Sequence, residues 1–238
     1  MTDNASFFKF EAAGSSNNGL KEWETMDPNN LISGNPIQRG HIYHENPNIG
    51  YMTGVWDCTE FVDQMGPYPV DEFMLFLEGE LFLDVPNGET VHIRAGDAFI
   101  IPKGFVCQWR QPGYVKKIFM IVDENIPEAQ NPSLERITVL NFDKQNINSD
   151  ISNKDIQFLN AAETMWVEVE QLCSMIQPSI KTTENKLVTI LEGAIEIGSS
   201  DGTATFETGE TFYIKKDSEI TIKTDVKTKM INVCYQAP

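Results

Sequence analysis

The sequence predicts an all-β chain of two similar domains, and three observations carry that prediction. The chain repeats itself: "FLEGELFLDVPNGETVHIRAGDAFIIPKG" in the first half is echoed by "ILEGAIEIGSSDGTATFETGETFYIKKDS" in the second. Leu77, Glu78, Gly79 and Gly88 recur in register as Leu191, Glu192, Gly193 and Gly202; after a one-residue deletion, Gly96, Phe99, Ile101 and Lys103 recur as Gly209, Phe212, Ile214 and Lys216. Each copy consists of short runs rich in Val, Ile, Phe and Thr, punctuated by Gly, Pro, Asn and Asp, which is the pattern of short strands. Finally, "VPNGET" and "SSDGTA" place Asn-Gly and Asp-Gly, which tolerate positive φ, at the same point of both copies, so each copy contains a tight hairpin there.

Taken in order, residues 1–49 are polar and rich in Asn, Pro and Gly, and are expected to form an N-terminal arm that wraps the domains. The first β domain is expected over 50–125. Within it, "EFMLFLEGELFL" is apolar on both parities, with Met74 and Phe76 on the face of Glu72 and Phe73, Leu75 and Leu77 on the other. Both faces of that strand must therefore be covered, the outer one by another domain or subunit. Together with the apolar run "KMINVCYQ", this gives the expectation of a homodimer. Residues 126–159 are expected to be a linker with one strand, "RITVLNF", and 160–238 the second domain. The one stretch with a helix-like period is "AAETMWVEVEQLCSM".

Composition excludes several function classes. With 35 acidic against 18 basic residues, the net charge of -17 repels phosphate backbones and anionic headgroups, so neither nucleic acid nor membrane is an expected partner. "MTDNASFFKF" has no basic region followed by an apolar core, and no run approaches the roughly 20 apolar residues of a membrane span, so the expectation is a soluble, cytoplasmic protein. Cys58, Cys107, Cys173 and Cys234 lack CxxC spacing and read as reduced thiols.

"GPYPVDEFMLFLEGE" and "GDAFIIPKGFVCQW" resemble the two signature motifs of the cupin superfamily, and "GVWDCTEF" makes the resemblance closest to the cupin_3 subgroup that includes (S)-ureidoglycine aminohydrolase. The resemblance implies a bicupin: two tandem jelly-roll barrels, each a double-stranded β-helix. Glu72 and Gly79 keep the spacing of the first motif; Gly96, Pro102 and Gly104 keep that of the second. The motif histidines are replaced, by Gly66 and Tyr68 in the first motif and by Cys107 in the second. The matching positions of the C-terminal copy are Ile180, Thr182, Lys186 and Ile220, which offer no metal ligand, so that barrel is expected to be structural.

Glu72 and Tyr68 are the candidate catalytic residues, a base or ligand and its assistant. Trp109, Cys107, Met74, Phe76 and Lys103 are the candidates for substrate binding, Lys103 by presenting its charge at the barrel rim. No transition metal is expected to be tightly held; a weakly bound divalent ion would have to draw on Glu72, Cys107 and a histidine of "HIYHENPN", His41 or His44. His92 alternates with Val91 and Ile93 and is expected to point outward. Two function classes remain. One is an enzyme pocket in the N-terminal barrel for hydrolysis, elimination or isomerisation of a small polar metabolite. The other is a catalytically silent cupin that binds a small-molecule ligand or serves as a dimerisation module.

Overall fold

In the computed structural model, residues 5–15, 19–124, 136–142 and 153–237 are described. They fall into two compact units, one of Glu11–Leu140 and one of Met1–Phe10 with Asn141–Pro238. Both are built from strands, as short β-branched and aromatic runs between turn residues require.

The N-terminal unit pairs a seven-stranded sheet with a second sheet that contains the hairpin of strands Glu80–Asp84 and Thr90–Arg94. The first sheet runs through strands Thr138–Val139, Ala98–Ile101, Asp71–Glu78, Val115–Val122, Tyr51–Cys58, Gln38–Asn46 and Lys21–Glu22. Strands Val106–Gln111, Phe61–Asp63 and Leu31–Gly34 complete the second. Much of the expected arm is thus sheet: strands from 21 to 46 extend this unit, and Trp23 packs edge-on against Phe119 at 6.4 Å. Alternation sends Trp56, Met74, Phe76, Phe99, Trp109 and Phe119 into one interior cluster. The opposite face of the large sheet is also apolar, with Phe73, Ile100 and Met120 fully buried.

The C-terminal unit repeats the plan. Strands Met165–Leu172, Asn185–Glu192, Thr211–Ile214 and Thr228–Tyr235 occupy one sheet, and Ala194–Ser199, Gly202–Glu207, Glu219–Thr224 and Met175–Lys181 the other. The "AAETMWVEVEQLCSM" stretch is a strand, because pairing with both Asn153–Leu159 and Thr228–Tyr235 outweighs its helical period. Phe7–Phe10, from the start of the chain, pairs with Thr211–Ile214 and closes an edge of this sheet.

Register establishes that the copies are equivalent. In the first, pairing with Val115–Val122 jumps from Phe76 to Glu78, making a bulge at Leu77; in the second, pairing with Thr228–Tyr235 jumps from Ile190 to Glu192, making the same bulge at Leu191. Gly79 and Gly193 follow those bulges with φ of +82° and +86°. A Cβ at Gly79 would collide with the Tyr114 carbonyl oxygen, and one at Gly193 with that of Lys227. Gly66 pairs with Cys107, and Ile180 with Ile220, as the motif alignment requires.

Gly79→Ala and Gly193→Ala should each lower stability by about 2 kcal/mol or more, combining positive φ with a backbone collision. Gly88→Ala, at φ +87° with open space around it, should cost only about 1 kcal/mol. Denaturant unfolding of the three variants checks the order.

Candidate functional site

A cavity of about 590 Å³ opens in the N-terminal barrel. Trp56, Phe61, Tyr68, Cys107 and Trp109 form its apolar wall, Met26, Leu31 and Met65 also line it, and Asp63 and Lys117 bring charge to it. Lys117 comes from "VKKIFMIV", where strict alternation forces one of two adjacent lysines inward: Lys116 pairs with Asp57 and Glu78 and stays partly exposed, while Lys117 pairs with Trp56 and is buried.

Lys117 Nζ donates to Glu72 Oε1 at 2.8 Å, with the two side chains only 8% and 5% exposed. The ammonium also lies over the Trp56 ring at 4.7 Å and the Trp109 ring at 4.9 Å, so its charge is met by one carboxylate and two aromatic faces. A further contact runs to Met74 Sδ at 3.2 Å. The Tyr68 hydroxyl donates a short hydrogen bond to the other oxygen of Glu72, Oε2. Burial first, then the Glu72 carboxylate, holds the Tyr68 phenol well above its ordinary pKa, so the hydroxyl keeps its proton. The indoles are fixed in turn: Trp109 Nε1 donates to Gln111 Oε1 at 2.9 Å, and Trp56 Nε1 to Gln38 Oε1 at 3.1 Å. Trp56 meets Trp109 edge-on at 6.3 Å, and Phe61 stacks on Trp109 at 6.3 Å.

Asp63 accepts the Trp109 backbone N–H at 2.6 Å. Burial pushes its carboxyl up to about 6 despite that bond. Burial, with a smaller push from Asp63, raises the Cys107 thiol to about 12, so it is a neutral, weak ligand.

The structure brings Tyr68, Cys107 and Trp109 to one cavity and ties Glu72 to Tyr68. Glu72 itself is not a cavity-lining residue; Lys117 and Tyr68, which hold it, are. Met74 and Phe76, expected to bind substrate, are instead fully buried in the core cluster, because the strand turns those side chains into packed apolar neighbours rather than open space. Lys103, expected at the rim, bonds Asp123 Oδ1 at 2.8 Å and the Glu124 carbonyl at 3.0 Å, away from the cavity lining. His41 packs edge-on against Tyr43 at 4.5 Å and His44 against Tyr51 at 5.8 Å, so neither ring joins Glu72. Ile42 faces the interior cluster and His41 lies on the opposite parity, while the bulge at Tyr43 puts His44 out of step with Ile42. His92 stacks on Phe82 at 4.2 Å and pairs with Glu80 at 2.7 Å. Lys117 lies beyond the last motif, and Trp56, although inside "GVWDCTEF", was not named as a site residue.

Two tandem jelly-roll barrels with Glu72 and the motif glycines in register define a bicupin. Residues 50–119 match the Cupin_3 family, described as the EutQ-like cupin domain. The chain is 38% identical over 81 residues to the "Uncharacterized protein YdbB" of Bacillus subtilis (strain 168), a match covering 34% of this chain and 65% of that protein's length. Among solved structures it is similar to a protein of unknown function of the DUF861 family from Pseudomonas syringae pv. tomato, with 16% identity, TM-score 0.66, and coverage of 82% of this chain and 85% of that one. It is also similar to a cupin 2 conserved barrel domain protein from Leptotrichia buccalis, with 10% identity, TM-score 0.64, and coverage of 91% and 98%. These structural likenesses establish the fold. Among the described residues, no helix is long and apolar enough to cross a membrane.

The divalent metal that the cupin resemblance implies does not fit the residues present. Gly66 has no donor atom, both Glu72 oxygens are engaged, and the Cys107 thiol is held protonated. No group of three His, Cys, Asp or Glu able to hold an ion occurs among the described residues.

Lys117→Met should destabilise the chain by about 3–5 kcal/mol, since it strands the Glu72 carboxylate in an apolar interior. Adding Glu72→Gln to Lys117→Met should recover most of the loss. Denaturant melts of the single and double variants check this.

Proposed function

We propose that the N-terminal barrel is a small-molecule pocket centred on a lysine, which takes a flat, largely apolar compound bearing an acidic or carbonyl oxygen. The observation that carries this reading is the Lys117 ammonium at the cavity wall, fixed by Glu72 at 2.8 Å and framed by two tryptophans. An ammonium has three donors; Glu72 takes one and the weak Met74 contact another, which leaves one for a ligand oxygen. The aromatic wall suits a planar body, and the volume of about 590 Å³ lies in the range of small-ligand sites.

Such an arrangement stabilises negative charge developing on a ligand oxygen through a donor already held in place. Isomerisation or elimination through an enolate is therefore the reaction type that best suits it, with the cavity-lining Asp63 carboxylate taking the α-proton, Lys117 facing the oxygen on which the charge develops, Tyr68 as the protonated neighbour and Glu72 positioning Lys117. A binding-only barrel is the second reading, favoured by the neutralisation of Lys117 within the protein.

Benzoate is a suitable probe, because Trp56 and Trp109 line the cavity and report its occupancy by fluorescence. Saturable quenching is expected, at least about tenfold weaker in Lys117→Met, as loss of a charged hydrogen bond predicts. Equal affinity in a folded Lys117→Met protein would sink the reading.

The pocket should also be pH-sensitive. Asp63, with its carboxyl raised to about 6, is neutral below that value and anionic above it. Affinity for benzoate should therefore fall as pH rises through about 6, and this step should be absent in Asp63→Asn, which fluorescence titrations at several pH values would reveal.

A further inference from the structure

The C-terminal barrel, expected to be structural, contains a cavity of about 360 Å³ whose interior is charged. Register shows how its chemistry was rearranged. Lys186 stands where Glu72 stands in the first barrel, Glu170 where Trp56 stands, and Met230 where Lys117 stands. The positive charge has thus moved to the neighbouring strand, and a carboxylate has replaced an aromatic wall.

The polar wall is a set of linked pairs. Lys186 Nζ lies 3.0 Å from Glu184, and Lys154 Nζ lies 2.9 Å from Glu168 and 3.5 Å from Glu170. Asn232 Nδ2 donates to Glu168 at 3.0 Å and to Glu170 at 2.6 Å. Burial works against the charge on Lys186, but Cys234 and the Glu184 and Glu170 carboxylates outweigh it and hold the amine protonated. The opposing wall is aliphatic and aromatic, with Val188, Ile195, Phe212 and Ile220.

The side chains of Lys154, Glu170, Glu184 and Lys186 remain 50%, 14%, 17% and 20% exposed, so these charges are not sealed away in the core. Asn232 adds an independent sign. It lines the cavity at 1% exposure, and its Oδ1 is buried without a hydrogen-bond partner among the described residues. Buried acceptors are normally matched, so this one is an unmet polar group beside the cavity.

From these features we infer that the C-terminal barrel is a second binding site, for a small zwitterion with an apolar side chain, of the amino-acid class. A ligand of one charge sign would meet like charge on this wall, since Lys154, Lys181 and Lys186 are interspersed with Glu170 and Glu184. A ligand with an ammonium and a carboxylate on one carbon satisfies both signs, and its side chain takes the apolar wall. The volume is near the lower end for ligand sites, which suits a single amino acid rather than a nucleotide or peptide.

Calorimetric titration of the full chain with L-leucine tests this, with N-acetyl-L-leucine and L-leucinamide as probes that each lack one charge. One leucine per chain is expected, with a dissociation constant below about 1 mM. Each analogue should bind about tenfold or more weakly. Lys186→Met should weaken leucine by a similar factor, while Lys117→Met leaves it unchanged; circular dichroism confirms that each variant is folded, and Glu170→Gln replaces Lys186→Met if that protein does not fold. No saturation by leucine, equal affinity for the analogues, or dependence on Lys117 with indifference to Lys186 would overturn the inference.

Discussion

An ammonium can lie inside an apolar barrel only if every part of its charge is answered, and the N-terminal barrel is arranged around meeting that requirement for Lys117. One carboxylate and two indole faces surround it. Those partners are themselves held: Glu72 by the Tyr68 hydroxyl, Trp109 by Gln111, and Trp56 by Gln38. Gln111 is anchored again through its amide to the carbonyl of Cys58 at 2.9 Å. The chain of dependence thus runs from one buried charge to the backbone of the neighbouring strand, Tyr51–Cys58.

The second barrel meets the same problem with different residues. There the interior charges form a mixed network of lysines and glutamates joined by Asn232. The strands, bulges and turn glycines of the two copies coincide, yet their interiors share no charged position of the same sign. Backbone demands, such as a positive φ after the bulge at Leu77 or Leu191, admit few residues, whereas an inward side chain can change whenever its neighbours change with it.

That difference explains what the sequence made legible. The repeat, the hairpins and the Gly79–Gly193 equivalence were readable because turns with positive φ demand particular residues at fixed positions. The placement of Tyr68, Cys107 and Trp109 followed from motif spacing and strand parity. Lys117 was harder to see, because it lies outside both motifs; the available signal was the Lys116–Lys117 pair within an apolar run, where parity sends one lysine inward. Met74 and Phe76 share the inward parity of Glu72, but parity gives a direction and not the distance to open space. Lys103 illustrates the same point for charge, since its partner Asp123 lies on a separate segment. The charged residues of the C-terminal barrel were hard to see for another reason: loss of metal ligands at four motif positions says nothing about Glu168, Glu170 or Lys154, which lie elsewhere on the strands.

The pairing of Phe7–Phe10 with Thr211–Ile214 nests one domain inside the sequence of the other. The C-terminal barrel draws an edge strand from the beginning of the chain, and everything from Glu11 to Leu140 is, in connectivity, an insertion within it. Phe8 stacks on Tyr213 at 5.3 Å, so that edge is sealed by aromatic contact as well as by backbone bonds. On a ribosome the first strand emerges long before its partner exists, and it must wait, unpaired, through the synthesis of an entire barrel. Closing so long a loop adds little equilibrium cost, because the entropy grows only with the logarithm of length, but it makes this the most non-local step of assembly. The N-terminal barrel can mature early, whereas its neighbour is completed only when the oldest part of the chain meets one of the youngest.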